Sequence, residues 1–242
     1  MTAPTLSVRC LGSFEYRGDG TWQSGPAFKH GREFLEYMTA YPRAPASYEL
    51  LADAFWPACE VGSVRHRLHM AATGARAALR RVLPAVDAIR VLASAYAWDP
   101  RVRVESDYQQ LLAYCDDGTV QAMKRGVALY LGEFCSGERA EWMYALRARA
   151  AVAYITMLQA LAEDALARVD NAGALRYALQ LIEADRGHEG ATRLAMRAFA
   201  GMGCRGAALE KYDALQRWLR LHLGVLPGVD TRALRDEVAG EA

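Results

Sequence analysis

The hydrophobic pattern of this chain is strand-like at the front and helical behind. Residues 5–28 predict strands: TLSVRCLGSFEYRGDGTW is rich in β-branched and aromatic residues, with Gly12 and Gly18-Asp19-Gly20 as turn punctuation. From His30 to Tyr41, Phe34, Leu35 and Met38 take helical spacing, and Pro42 and Pro45 mark the end of that helix. Ser47 is an N-cap for a second helix, Tyr48 to Phe55, with Leu50, Leu51, Ala54 and Phe55 on its apolar side. Trp56-Pro57 stops it, and a third helix follows Ala58–Gly62 and runs to Leu83. Ile89–Leu92 and Tyr96–Trp98 then predict the two strands of a small hairpin, with Val102–Val104 returning the chain. Strands, three helices and a hairpin, in that order, are the elements of a winged helix-turn-helix.

From about Ser106 the strand signals vanish. Ala- and Leu-rich segments predict helices over Tyr108–Tyr114, Thr119–Tyr130, Glu141–Ala167, Asn171–Ala184, Glu189–Met202 and Arg205–Leu221. The last four form two pairs at a period of about 34 residues, the unit of tetratricopeptide stacking. Small and aromatic residues recur with it: Ala165, Ala174 and Ala178, then Ala198, Ala207, Ala208 and Tyr212. The fold class is therefore mainly α with a small β part, divided as 1–103 and 104–242: a winged helix-turn-helix, then an all-α tetratricopeptide-like repeat domain.

Charge singles out the third helix. Val61–Leu83 carries Arg65, Arg67, Arg76, Arg80, Arg81, His66 and His69 and no acidic residue. At roughly 100° per residue, Val64, Leu68, Ala71, Ala75, Leu79 and Val82 share one side, while His66, His69, Thr73 and Arg80 face the other. Arg65 and Arg76 flank the polar side at one edge, Arg67 and Arg81 at the other. Such a helix neutralises phosphates and reaches base edges in a major groove. Residues 1–103 hold 13 Lys/Arg against 9 Asp/Glu, and residues 104–242 hold 16 against 19. That contrast suits a nucleic-acid contact in front and a protein-contact module behind.

Other chemistries find no support. The five cysteines are scattered, without a CxxC pair or a His at ligand spacing, so no metal site is predicted and reduced thiols are expected. MTAPTLSVRC has no apolar core to direct export, and the apolar run from Ala150 to Ala162 is too short to span a bilayer, so the expected location is cytoplasmic. GxxxxGK[ST], HExxH and GxSxG are all absent, and Asp116-Asp117 and Glu163-Asp164 diverge, so no catalytic residue and no cofactor is expected. His188-Glu189 reads as a favourable helix start. Trp56 is expected to seal the core, and Trp142, Tyr144 and Tyr212 to pack between helices.

At this point the residues resemble a known family. LADAFWP (Leu51–Pro57) followed by VRHRLHMAATGARAAL is similar to the OmpR-type winged helix of the SARP regulators, activators of antibiotic and secondary-metabolite genes, with Trp56, Pro57, Arg65, Leu68, His69, Arg76 and Leu79 on matching positions. ALYLGEFCSGERAEWMYALRAR (Ala128–Arg149) and Glu189–Leu234 are similar to the bacterial transcriptional activator domain of these proteins. The chain departs from the pattern at Gly74, where a basic residue is usual, and in the wing, which reads Ala93-Ser94-Ala95-Tyr96 in place of Gly-Gly-Tyr. Gly74 costs about 1 kcal/mol relative to Ala inside a helix and removes one phosphate contact.

The resemblance implies a sequence-specific DNA-binding regulator, with double-stranded DNA and RNA polymerase holoenzyme as partners and a homodimer, head to tail, on direct repeats. The alternative is a protein-interaction adaptor whose winged helix no longer reads DNA sequence. Arg65, His66, Arg67, His69, Thr73 and Arg76 are the candidates for contacting DNA, with Arg80 as a backbone clamp. Tyr96 either packs under the wing or stacks along the sugar–phosphate. The resemblance places the polymerase contact at Ala58, Cys59, Glu60 and Val61.

Overall fold

The computed structural model describes residues 3–26, 28–59 and 61–240. Two compact units emerge: residues 1–116 with 128–151, and residues 117–127 with 152–242.

In the first unit, β1 (Thr5–Arg9), β2 (Glu15–Arg17) and β3 (Gln23–Ser24) form an antiparallel meander. It is followed by α1 (Lys29–Ala40), β4 (Ala46–Ser47), α2 (Tyr48–Phe55) and α3 (Val61–Val82). β5 (Ile89–Val91) and β6 (Ala95–Trp98) make the expected hairpin. β4 adds a third strand to it, through Ala46 opposite Tyr96 and Ser47 opposite Ala95. The strand expected to return the chain is β7 (Arg103–Ser106), which lies parallel to β1 and completes a four-stranded sheet in the order β3-β2-β1-β7.

The Ser47 hydroxyl caps α2 by accepting from Leu50 N–H at 3.2 Å. Helix α3 buries Val64, Leu68, Ala71, Ala72, Ala75, Ala78 and Leu79. Where α3 meets α1 the residues are small: a Cβ on Gly74 would reach Phe28 at 3.5 Å and the Cα of Gly31 at 3.8 Å. Position 74 thus faces α1 rather than outward, which corrects the expectation of a lost phosphate contact there.

A buried carboxylate links the front of the unit to its next helix, α4 (Asp107–Asp117). Asp107 accepts from the backbone N–H groups of Cys10 at 2.8 Å, Leu11 at 3.1 Å and Tyr108 at 2.8 Å, and from the Cys10 thiol at 3.0 Å. Residues 132–138 lie along this edge. Cys135 N–H donates to Cys10 O, Gly12 N–H to Glu133 O and Ser136 N–H to Gly12 O, beside an isolated bridge from Leu11 to Phe134.

The remaining helices are α5 (Val120–Leu129), α6 (Tyr144–Ala167, preceded by a 3-10 turn at Glu141–Met143), α7 (Asn171–Ala184), α8 (Glu189–Gly201), α9 (Arg205–His222) and α10 (Val229–Ala239). Helix α10 was not expected from the sequence. In the second unit Leu158, Ala162, Ala178, Leu181, Ala191, Leu194 and Ala195 share one core, and Ala165, Ala174 and Ala198 another. The recurring alanines are therefore the close-packing positions between stacked helices. The fold is mainly α, with a winged-helix-like front and tetratricopeptide-like repeats. Glu141–Ala167 is long and apolar enough to cross a membrane by length and composition, but it buries Ala150, Met157, Leu158, Leu161 and Ala162 against protein.

Candidate nucleic-acid interface

The buried stripe of α3 turns its other side outward. Arg65, His66, Arg67, His69, Thr73, Arg80 and Arg81 are exposed, and among the described residues the four arginines of this group make no ion pair. Two of them lean on aromatic rings. The Arg65 guanidinium lies 5.4 Å from the centroid of Tyr48, at the start of α2, and that of Arg67 lies 6.0 Å from Trp56. Stacking of this kind orders the long side chain while leaving its N–H groups available. The Thr73 hydroxyl donates to the His69 carbonyl at 2.8 Å and stays at the surface.

Two expected DNA contacts are placed otherwise. The Arg76 side chain is only 15% exposed. Its Nε and Nη2 both donate to the Ile89 carbonyl, at 2.9 and 2.7 Å, and Asp87 lies 3.7 Å from Nε. Its donor fork is spent on the first strand of the wing. Tyr96 is 1% exposed and packs edge-on against Phe34 at 5.0 Å, with its phenol pushed up to about 12 by burial. It is a core residue and cannot stack on a sugar–phosphate backbone.

The wing instead presents Arg90, Val91 and Leu92, all exposed, with Leu92 N–H closing the hairpin on Ala95 O at 2.8 Å. Arg90 was missed, although alternation from the buried Ile89 would have placed it outward. Tyr48 N–H donates to Ser94 O at 2.9 Å, so the hairpin tip is held against α2. Of the loop expected to meet polymerase, Ala58 and Cys59 are exposed in a turn closed by Cys59 N–H on Trp56 O. Glu60 lies outside the described residues, and Val61 enters only as the first residue of α3.

Residues 103–239 match the bacterial transcriptional activator domain. The chain belongs to the bacterial transcriptional activator domain family. That match agrees with the resemblance to the SARP regulators found in the sequence. Among solved structures it is similar to Mycobacterium tuberculosis EmbR, determined in complex with a low affinity phosphopeptide. The TM-score is 0.71 at 18% identity, covering 98% of this chain and 65% of that one. It thus spans less than two thirds of EmbR, and the likeness is one of fold. A second similar structure is the C-terminal TPR-containing domain of a Plasmodium falciparum FK506-binding protein, with a TM-score of 0.42 at 12% identity over 56% of this chain and 89% of that one. Curated protein sequences give no match.

The activator-domain motif residues have physical roles here. Arg147 of the EWMYALRAR stretch donates to the carbonyls of Phe134, Cys135 and Glu138 at 2.9, 3.0 and 2.7 Å, fixing residues 134–138. Trp142 packs among Tyr37, Phe55 and Phe134, as expected. Tyr144 is exposed, against the expectation that it packs between helices, whereas Tyr212 is buried with Met196, Leu234 and Val238. Trp56 is half-buried against His30 rather than sealed in the core. His188 caps α8 by accepting from Ala191 N–H at 3.0 Å. Glu189 accepts from Gly228 N–H at 2.9 Å and from the Thr231 hydroxyl at 2.6 Å, and so ties α8 to α10.

Proposed function

We propose that this regulator is a cytoplasmic DNA-binding protein that inserts α3 into the major groove, with residues 1–103 as reader and 104–242 as activator portion. The observation that carries this reading is the outward side of α3: exposed arginines and histidines, no carboxylate on the helix and, among the described residues, no ion pair to neutralise it. Arg65 and Arg67 are the residues assigned to base edges or flanking phosphates, with His66, His69 and Thr73 close to the bases. Arg80, Arg81 and Arg90 are assigned to the phosphate backbone. RNA polymerase holoenzyme is the partner that activation requires, approached through Ala58 and Cys59, and a head-to-tail homodimer on a direct repeat is the expected assembly. A catalytic role has no constellation to support it.

Selection of bound sequences from a random duplex library tests the reading. The wild-type chain is expected to enrich a direct repeat, and Arg65→Ala/Arg67→Ala to lose it. No enrichment by the wild type would sink it. One observation favours an adaptor instead: Leu221, Leu223, Val225, Leu226 and Val229 are all exposed along one short stretch, more apolar surface than scattered residues supply. An adaptor would show negligible DNA binding even at low salt.

A further inference from the structure

A cavity of about 260 Å3 opens in the first unit between the turn after β1, the helix α1 and residues 135–138. Polar groups dominate its wall: Ser13, Ser24, Arg32, Glu36, Ser136 and Glu138. Glu36 is 0% exposed, and neither of its carboxyl oxygens has a hydrogen-bond partner among the described residues. Arg32 Nε is buried without an acceptor as well, while its Nη1 donates to Glu138 Oε1 at 3.2 Å. Buried polar atoms are paired in the great majority of cases, and unpaired ones are costly. Two orphans of opposite hydrogen-bonding sense lining one cavity are what a ligand with a donor and an acceptor would complete.

The charges around Glu36 define that ligand further. Glu33 and Arg32 act on it from its own helix, Glu138 and the Cys135 thiol from residues 135–138, and Arg147 from α6. Each cation is already committed: Arg32 to Glu138, and Arg147 to three backbone carbonyls with Glu133 at 3.8 Å. Glu33 is held by His30 at 2.8 Å and Lys29 at 3.7 Å. Glu36 is left without a counter-ion. Burial, reinforced by Glu138 and Glu33, pushes its carboxyl up to about 8, so it keeps its proton near neutrality.

We propose that this cavity binds a small hydroxylated organic cation, with a protonated amine on Glu36 and hydroxyl oxygens on Arg32 Nε and the serines. The space accommodates on the order of eight water-sized groups. The arriving ammonium is the missing counter-ion, so Glu36 ionises on binding and its proton passes to the buffer. The proposal does not rest on DNA binding, because none of these residues lies on α3 or the wing.

Isothermal titration of the full chain near pH 7 with 2-amino-1,3-propanediol and with glycerol, its neutral isostere, decides the matter. The amine is expected to bind about tenfold more tightly than glycerol and, compared across buffers of different ionisation enthalpy, to release about one proton per molecule bound. Glu36→Gln keeps the shape and removes the charge, so it is expected to fold and to lose the preference for the amine. Equal affinity for the two probes, binding without proton release, a preference for the amine retained by Glu36→Gln, or no heat from either probe overturns the proposal. Should the variant fail to fold, the probe ratio and the proton count of the wild type still decide.

Discussion

Single residues of this protein are where helical periodicity and three-dimensional placement part company. A helical wheel places Arg76 at the edge of the polar side, and only the position of Ile89, brought close by folding, turns it inward. Replacing Arg76 by Ala leaves the Ile89 carbonyl without its two donors, and a loss of about 1–3 kcal/mol is expected in urea unfolding. Gly74 was legible as a weak helix residue but not as a helix crossing. Because an added Cβ meets its neighbours at ordinary contact distances, Gly74→Ala is expected to stabilise the protein by roughly 1 kcal/mol. Gly18 is the opposite case, since a Cβ there would overlap the Val82 carbonyl oxygen, and Gly18→Ala is expected to destabilise. Glu36 gives a signed pH dependence. In the unfolded chain it ionises near its ordinary value of 4.5, while the folded protein holds the proton to about 8. Stability therefore falls as pH rises through that window, by on the order of 5 kcal/mol from this group. Thermal unfolding from pH 4 to pH 9 should show the decline in the wild type and a flatter profile in Glu36→Gln.

At the scale of elements, strong periodicity and clear caps were sufficient. Helix α2 begins after Ser47 and ends at Phe55 as expected, because a side-chain cap and a Trp-Pro stop act locally. Helix α10 escaped notice: it starts after Gly228 without a side-chain cap, and its buried Thr231, Leu234 and Val238 are spread thinly over a polar segment. The partner of β7 was equally illegible, since parallel pairing with β1 joins residues almost a hundred apart, beyond the reach of local pattern. The element most open to test is α3. If Arg65 and Arg67 each displace counterions from phosphates, removing either should lower the slope of log affinity against log salt by about 1. A slope unchanged in both single variants would take these arginines off the DNA.

For the whole molecule, the order of elements and the long activator motif made the fold class readable, and the 34-residue period made the stacked helices so. Less readable was how far the first unit reaches along the chain. Residues 128–151 join it through Arg147 and the backbone pairing of Cys135 and Ser136, contacts that leave no periodic trace in the sequence. A fragment ending at residue 103 lacks most of β7, Asp107 and the Arg147 contacts. It should be less stable than the full chain's first unit by about 3 kcal/mol or more, read from hydrogen-exchange protection of the β1 amides. The tie between Arg76 and Ile89 has a further consequence at this scale. It makes the helix proposed to read the groove, together with the wing, a caliper of fixed opening, so on the proposed reading the stretch of DNA between their two footprints is expected not to vary in length. Sites recovered from a random library should share one spacing, and releasing the caliper with Arg76→Ala should let that spacing drift before affinity disappears.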